Sequence, residues 1–178
     1  MNIVQKESFF ANRYEMKTEP TTASSQTVHL FTDGACRGNP GPGGYGAILR
    51  YGNHEKELSE GFRKTTNNRM ELMAVIKGLE ALKKDNLNIV VVSDSEYVVN
   101  AIKKGWLLNW EKKGWKKVKN VDLWKQFIGL YKKHHITFEW IRGHAGHPEN
   151  ERCDQLAVEA SLSSYLKEDN GYLSSLEK

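Results

Sequence analysis

The sequence predicts an α/β fold in which a five-stranded mixed sheet, three antiparallel strands followed by two parallel ones, is flanked by helices. Three observations predict it. Residues 27–63 hold three runs with strand periodicity, joined by turn residues. Residues 66–104 alternate helix, strand and helix, the pattern of parallel strands with crossovers. A last strand pattern at 136–142 lies between two further helical stretches. At 178 residues the chain has the length of one domain with a sizeable core.

Residues 27–33 alternate, with Val28, Leu30 and Thr32 on one face and Phe31 and Asp33 on the other. Next comes a stretch with six glycines and two prolines, residues 34–46. Its Gly41-x-Gly43-x-x-Gly46 matches a dinucleotide-binding fingerprint, but that motif needs a helix after the glycines. Here they run into the strand pattern of 43–51, so the stretch reads as a hairpin connection. Gly52-Asn53 turns into a third strand over 54–63, with Leu58, Glu60 and Phe62 on one face. A helix then runs over about 66–84, capped by Thr66 or Asn67, with Leu72, Val75, Ile76, Leu79 and Leu82 at helical spacing. Residues 88–94 are a β-branched strand ending in Asp94, and a helix follows over 95–104. Helices over 121–133 and about 150–166 enclose the last strand and a loop at 143–149.

Composition is that of an ordinary globular chain, 39% hydrophobic and 27% charged, and no apolar run approaches a membrane span. The N-terminal residues carry internal charges and no continuous apolar core, unlike a secretory signal. Cys36 and Cys153 make no disulfide framework, so the cytoplasm is expected, and nothing in the sequence suggests more than a monomer. Residues 1–26 end in a small, polar linker and are expected to be a disordered extension, with a partner peptide around Phe9 and Tyr14 as the alternative. The folded part is expected over 27–172, with a tail at 173–178.

Charge is concentrated. Residues 103–119 hold seven lysines and one acid, a net of +6, which leaves −2 for the rest of a +4 chain. Trp106, Trp110 and Trp115 stand among those lysines. Such an arm suits a polyanion, with lysines following phosphates and indoles packing sugars. We expect Trp106 inside and the lysines outward.

Four acids suggest chemistry. Asp33 and Asp94 end strands that, if parallel neighbours, place both at one end of the sheet. Glu71 and Asp154 fall near the first turns of their helices, where an acid also suits the helix dipole. Four ionised carboxylates in one pocket require cations or protons, and oxygen-only ligation selects hard ions such as Mg²⁺ or Mn²⁺. A pair of such ions suits phosphoryl displacement. A zinc site through His144, His147 and Cys153 fits no standard spacing, and Cys153 reads better as a packed helix residue.

The motifs TDGACRGNPGPGGYGAILRY, TTNNRMELMAVIKGLEALK, SDSEYV, VKNVDLW and IRGHAGHPENERCDQLA resemble, in order, those of type 1 ribonuclease H, the bacterial ribonuclease HI family, over about residues 27–172. The resemblance implies the ribonuclease H-like fold and an endonuclease cutting the RNA strand of RNA–DNA hybrids by a two-metal mechanism, leaving 5′-phosphate and 3′-hydroxyl ends. It implies two Mg²⁺ ions, with Mn²⁺ as a substitute, held by Asp33, Glu71, Asp94 and Asp154, and catalytic help from His144 in a mobile loop. It places Cys36, Asn39 and Asn68 in the RNA-strand groove, and Lys64, Thr66 and Asn120 on a DNA phosphate. It sets Glu96 beside the 2′-hydroxyls and Trp106 in a basic protrusion at about 103–119.

The sequence departs from the family at three places. Lys64 stands where arginine is frequent and loses the bidentate fork. Glu96 stands where glutamine is frequent and cannot donate to a 2′-hydroxyl. The protrusion is several residues short between Trp115 and Val118. Two other readings use the same acids: a hybrid-binding module without catalysis, and transposase-like DNA strand transfer.

Overall fold

The computed structural model describes residues 27–177, so the expectations for residues 1–26 lie outside the described residues. Its elements are β1 (Val28–Cys36), β2 (Gly41–Tyr51), β3 (His54–Thr65), α1 (Asn67–Glu80), β4 (Asn88–Ser93), α2 (Glu96–Lys103), α3 (Trp106–Lys112), α4 (Val121–Tyr131), β5 (His135–Trp140), α5 (Pro148–Ser161) and α6 (Asn170–Ser175). The sheet order is β3-β2-β1-β4-β5. β1, β2 and β3 pair antiparallel, while β4 pairs parallel with both β1 and β5, as the sequence predicted.

The alternation in β1 decides which helix covers which face. Leu30 points to α1, where its side chain closes on Gly78. Phe31 points the other way and joins Ile48, Cys153 and Leu156 beneath α5. Cys153 is thus a packed helix residue, as expected. On the α1 side, Met70, Leu72, Val75 and Ile76 are fully buried with Trp124 and Phe127 of α4. Complete burial of one such aliphatic or aromatic side chain contributes about 1.5–3 kcal/mol, so this layer holds the helices in place. β4 lies between two strands, and its Ile89 and Val91 are buried, which is why it reads as a β-branched run.

The glycine-rich stretch does not form the loop its composition suggests. Most of it is strand, and its glycines are a floor on which helices rest. A Cβ at Gly46 would lie 2.2 Å from the Cys153 carbonyl oxygen and one at Gly44 2.5 Å from that of Ala157, and one at Gly61 on the neighbouring β3 would lie 2.0 Å from that of Ala160. Any side chain there would lift α5 off the sheet. Gly34 does the same for α1, since its Cβ would sit 2.5 Å from the Glu71 amide nitrogen. These close approaches set the heights of the two helices that carry Glu71 and Asp154.

Several boundaries differ from those expected. β1 continues to Cys36, so Asp33 lies within the strand; it is the parallel pairing with β4 that stops, at Thr32 and Ser93. α1 ends at Glu80 rather than 84, and Glu71 falls in its second turn. α5 starts at Pro148, which puts Asp154 in a second turn as well, and it stops at Ser161. Beyond it the chain returns to β3, with Phe62 bridging Lys167, and the short α6 crosses the expected boundary at 172. The basic arm contains a helix, α3, that its lysines concealed. Leu107 is its buried residue, whereas Trp106 is 40% exposed and lies under the Lys104 ammonium, contrary to the expectation that it points inside. Trp110 and Trp115 take the inner positions against the core.

Candidate active site

Asp33, Glu71 and Asp94 converge from β1, α1 and the end of β4. Each offers a carboxylate oxygen, and these oxygens lie within 4.8 Å of one another. At that spacing two charges repel by about 3–4 kcal/mol at an effective dielectric near 20. Burial pushes the Asp33 carboxyl up to about 7, with Asp94 and Asp154 adding to the rise, while the Gly34 N–H, donating at 2.8 Å, opposes it. Burial, then Asp33 and Asp94, raise Glu71 well above the ordinary carboxylate value. Burial raises Asp94 too, against the Asn150 amide and the field of His144.

Asp154 is not one of the clustered three, but it stands near enough on α5 to act on both Asp33 and Asp94. His144 is exposed in the loop before α5 with φ 54°, and its charge acts on Asp94. The loop presses close: a Cβ at Gly143 would meet Asp94 Oδ2 at 2.5 Å.

The donor set fits divalent cations. It is all carboxylate oxygen, and Glu71 Oε2 is buried with no hydrogen-bond partner, although Asn67 Nδ2 donates to Oε1 at 3.4 Å. A buried carboxylate oxygen left without a donor costs about 1–3 kcal/mol. A hard cation satisfies such an oxygen directly and cancels the repulsion among the three acids.

A cavity of about 950 Å³ opens beside the first turn of α1. Asn39, Thr66, Asn68 and Asn120 line it, four of the eight residues expected to bind substrate. Their hydrogen bonds leave it rich in donors. Asn39 Oδ1 accepts from the Asn67 N–H at 3.0 Å, Thr66 Oγ1 from the Arg69 N–H at 3.3 Å, and Asn120 Oδ1 from Arg69 Nη1 at 3.4 Å. With those oxygens engaged, amide and hydroxyl hydrogens remain for a ligand, and Lys119 adds a charge. The cavity therefore suits an acceptor such as a phosphate oxygen.

The other four lie outside that lining. The Cys36 thiol donates to the Thr65 and Gly41 carbonyls at 3.4 and 3.6 Å, and burial raises its pKa. Lys64 is exposed near the end of β3, Glu96 is exposed in the first turn of α2, and Trp106 stands on the arm.

Arg69 is a residue the sequence reading missed. It is buried, and its guanidinium spans Asp169 (Nε–Oδ2 2.7 Å, Nη2–Oδ1 2.8 Å) and Asp122 (Nη1–Oδ1 2.8 Å, Nη2–Oδ2 2.7 Å). Its signal was present: it shares the helical face of Leu72, Met73 and Ile76, where a charge is out of place unless paired.

Comparison with known proteins agrees with this arrangement. The family model described as RNase H matches residues 25–162. The ribonuclease H of Syntrophus aciditrophicus (strain SB) is 54% identical over 166 residues, 88% of this chain and 95% of the relative. That of Enterobacter sp. (strain 638) is 56% identical over 153 residues, 83% and 97% of the two chains. Among solved structures, LC9-RNase H1, a type 1 RNase H with the type 2 active-site motif, superposes with TM-score 0.70 at 32% identity, covering 77% of this chain and 72% of that one. LC11-RNase H1, solved in complex with an RNA/DNA hybrid, gives TM-score 0.59 at 27% identity over 76% of this chain and 99% of its own. The sheet order and the acidic cluster are those of a nuclease class, and the chain belongs to the RNase H family. Within that family it falls with the bacterial type 1 ribonucleases H, the HI branch.

Proposed function

We propose that this enzyme hydrolyses the RNA strand of RNA–DNA hybrids at the Asp33–Glu71–Asp94 cluster, using two Mg²⁺ ions for which Mn²⁺ can substitute. The single observation that carries the reading is the convergence of three carboxylates, two of them buried and one with an orphaned oxygen. Asp33, Glu71, Asp94 and Asp154 would hold the ions. Bound there, divalent cations supply charge neutralisation at the scissile phosphate and a lowered pKa for water.

The chain's own groups do the rest. Gly34 N–H holds one Asp33 oxygen and leaves the other for the site. His144, exposed in the loop before α5 and on the Asp94 side, would carry a proton at the edge of the cluster. Lys64, Thr66 and Asn120 would take a DNA-strand phosphate, Thr66 and Asn120 from the wall of the donor-lined cavity. Cys36, Asn39, Asn68 and Glu96 would contact the RNA strand, and the lysine arm with exposed Trp106 would follow the DNA strand outward. Products carry 5′-phosphate and 3′-hydroxyl ends. We assign the enzyme to the cytoplasm as a monomer; the two described cysteines are free, and no described helix is long and apolar enough to cross a membrane.

The test is incubation of labelled RNA–DNA hybrid, duplex RNA and duplex DNA with the protein, in Mg²⁺ and in chelator. We expect cleavage of the hybrid's RNA strand alone, lost on chelation. Tight binding without product in either metal would make the chain a binding module, and equal cutting of duplex DNA would favour strand transfer.

The loop supplies a sharper prediction. Gly143→Ala should displace the Asp94 carboxylate, because the added methyl would overlap it. Fold stability should change by less than about 1 kcal/mol, since Gly143 lies in a turn outside the core. The Mg²⁺ concentration for half-maximal activity should rise about tenfold, a perturbation of about 1.4 kcal/mol at one ligand. An unchanged metal titration would show that the loop yields instead.

A further inference from the structure

Asn120 occupies the N-cap of α4, yet its side chain makes no capping hydrogen bond to that helix. An asparagine there ordinarily accepts from a backbone N–H of the first turn. This one is at φ 58°, and its amide is turned elsewhere. Oδ1 accepts from Arg69 Nη1 at 3.4 Å, and Nδ2 donates to the Tyr97 hydroxyl at 3.0 Å. The same hydroxyl accepts from Trp124 Nε1 at 2.8 Å. A phenol oxygen has two acceptor sites, and both are filled.

We infer that Tyr97 is a positioning residue for substrate binding: its hydroxyl fixes the Asn120 amide so that the second N–H faces the cavity. Arg69 bars the flipped amide, because that would set Nδ2 against a guanidinium N–H, donor against donor. Tyr97 bars rotation by engaging one of the two amide hydrogens. The remaining hydrogen is left for an acceptor oxygen of the nucleic-acid backbone. Tyr97 is itself held from the arm side, because its ring lies 5.5 Å from that of Trp124, Trp124 meets Trp110 edge-on at 5.4 Å, and Trp110 lies 6.3 Å from Trp106. Packed aromatic groups thus connect the arm to the donor that lines the cavity. The inference rests on the reading of that cavity as a seat for a backbone phosphate.

Tyr97→Phe keeps the ring and its packing and removes only the oxygen, so it isolates the role. We expect KM for the hybrid to rise about fivefold, the worth of one neutral hydrogen bond, with kcat within about twofold of wild type. Asn120→Ala should raise KM at least as much, and Tyr97→Phe should add nothing further in that background. A second readout is independent of turnover. The Asn120 side-chain amide, identified in ¹⁵N spectra by its absence from Asn120→Ala, should exchange slowly with water in the wild type and quickly in Tyr97→Phe. Unchanged exchange in Tyr97→Phe, or an equal rise in KM with and without Asn120, overturns the inference. An Asn120→Ala enzyme with unchanged KM but a normally protected wild-type amide overturns the phosphate seat itself, and the positioning role falls with it.

Discussion

Asp33→Asn is expected to lose at least about a thousandfold in metal-dependent cleavage while becoming more stable than the parent at neutral pH. The loss follows from geometry. Asp33 is central to the cluster: its charge acts on Glu71, and both Asp94 and Asp154 act on it. A neutral amide removes one ligand charge and places N–H hydrogens where a cation must bind. A cation-stabilised transition state that forfeits about 4 kcal/mol loses about three powers of ten in rate. The gain in stability has the same origin. Burial first, and then the neighbouring acids, raise the Asp33 carboxyl from 3.8 to about 7. Below about pH 4 both folded and unfolded chains keep this proton, and the group carries no penalty. As pH rises towards 7 the unfolded chain gives the proton up freely and the metal-free folded chain does not, so stability is lost across that window. Asparagine is free of this penalty. In chelator at pH 7.5 the variant should exceed wild type by about 2–4 kcal/mol in urea unfolding, because each tenfold change in proton affinity is worth about 1.4 kcal/mol, less an allowance for solvent. Near pH 4 the two should converge. Retained cleavage at the parent rate would remove Asp33 from the chemistry, and equal stability at pH 7.5 would mean that the cluster is not repulsive.

The sequence carried the strand count, the change from antiparallel to parallel strands and the clustered acids because these depend on local pattern. Period-two alternation placed Leu30 and Phe31 on opposite faces of β1, and the β-branched run of β4 marked a strand covered on both sides. What stayed hidden was set by contacts distant in sequence. The glycines of β2 read as a turn because their composition is that of a turn; for Gly44 and Gly46 the reason is α5, more than a hundred residues later, which approaches too closely for a side chain. α3 was masked by lysines that point to solvent, and Trp106 could be placed inside or outside the arm only once Leu107 was seen to fill the inner position. The turn in which Glu71 and Asp154 fall depended on cap positions that shift readily by a residue or two. The donor accounting around Asn120 required Arg69, Tyr97 and Trp124, which lie 51, 23 and 4 residues from it.

Arg69→Met should be the most destabilising single change outside the apolar core, by about 3–5 kcal/mol. Methionine is close to arginine's stem in volume, so little packing is lost; what disappears is the charge between two carboxylates. Asp169 is almost fully buried and would keep only the Thr65 hydroxyl and the Tyr172 N–H as partners. Burial works against the Asp122 charge as well, yet the Arg69 fork outweighs it and holds that carboxyl below its usual range. Stability from Asp122 is therefore present above the unfolded carboxylate pKa and lost as pH falls through the folded one, a loss the variant should no longer show. A single ammonium cannot serve both carboxylates, so Arg69→Lys should recover only part of the deficit. The consequences extend to function because the same guanidinium anchors α6 through Asp169, meets α4 through Asp122, and orients Asn120. Gly171 fits against this knot only because it has no side chain, its Cβ position lying 2.6 Å from Arg69 Nη2. Thermal unfolding of Arg69→Met about 10 °C below wild type, with a raised KM for the hybrid at a temperature where the variant is folded, is the expected pair of results. A variant that melts with wild type would show that water screens both ion pairs, and that the walls of the donor-lined cavity are held by apolar packing alone.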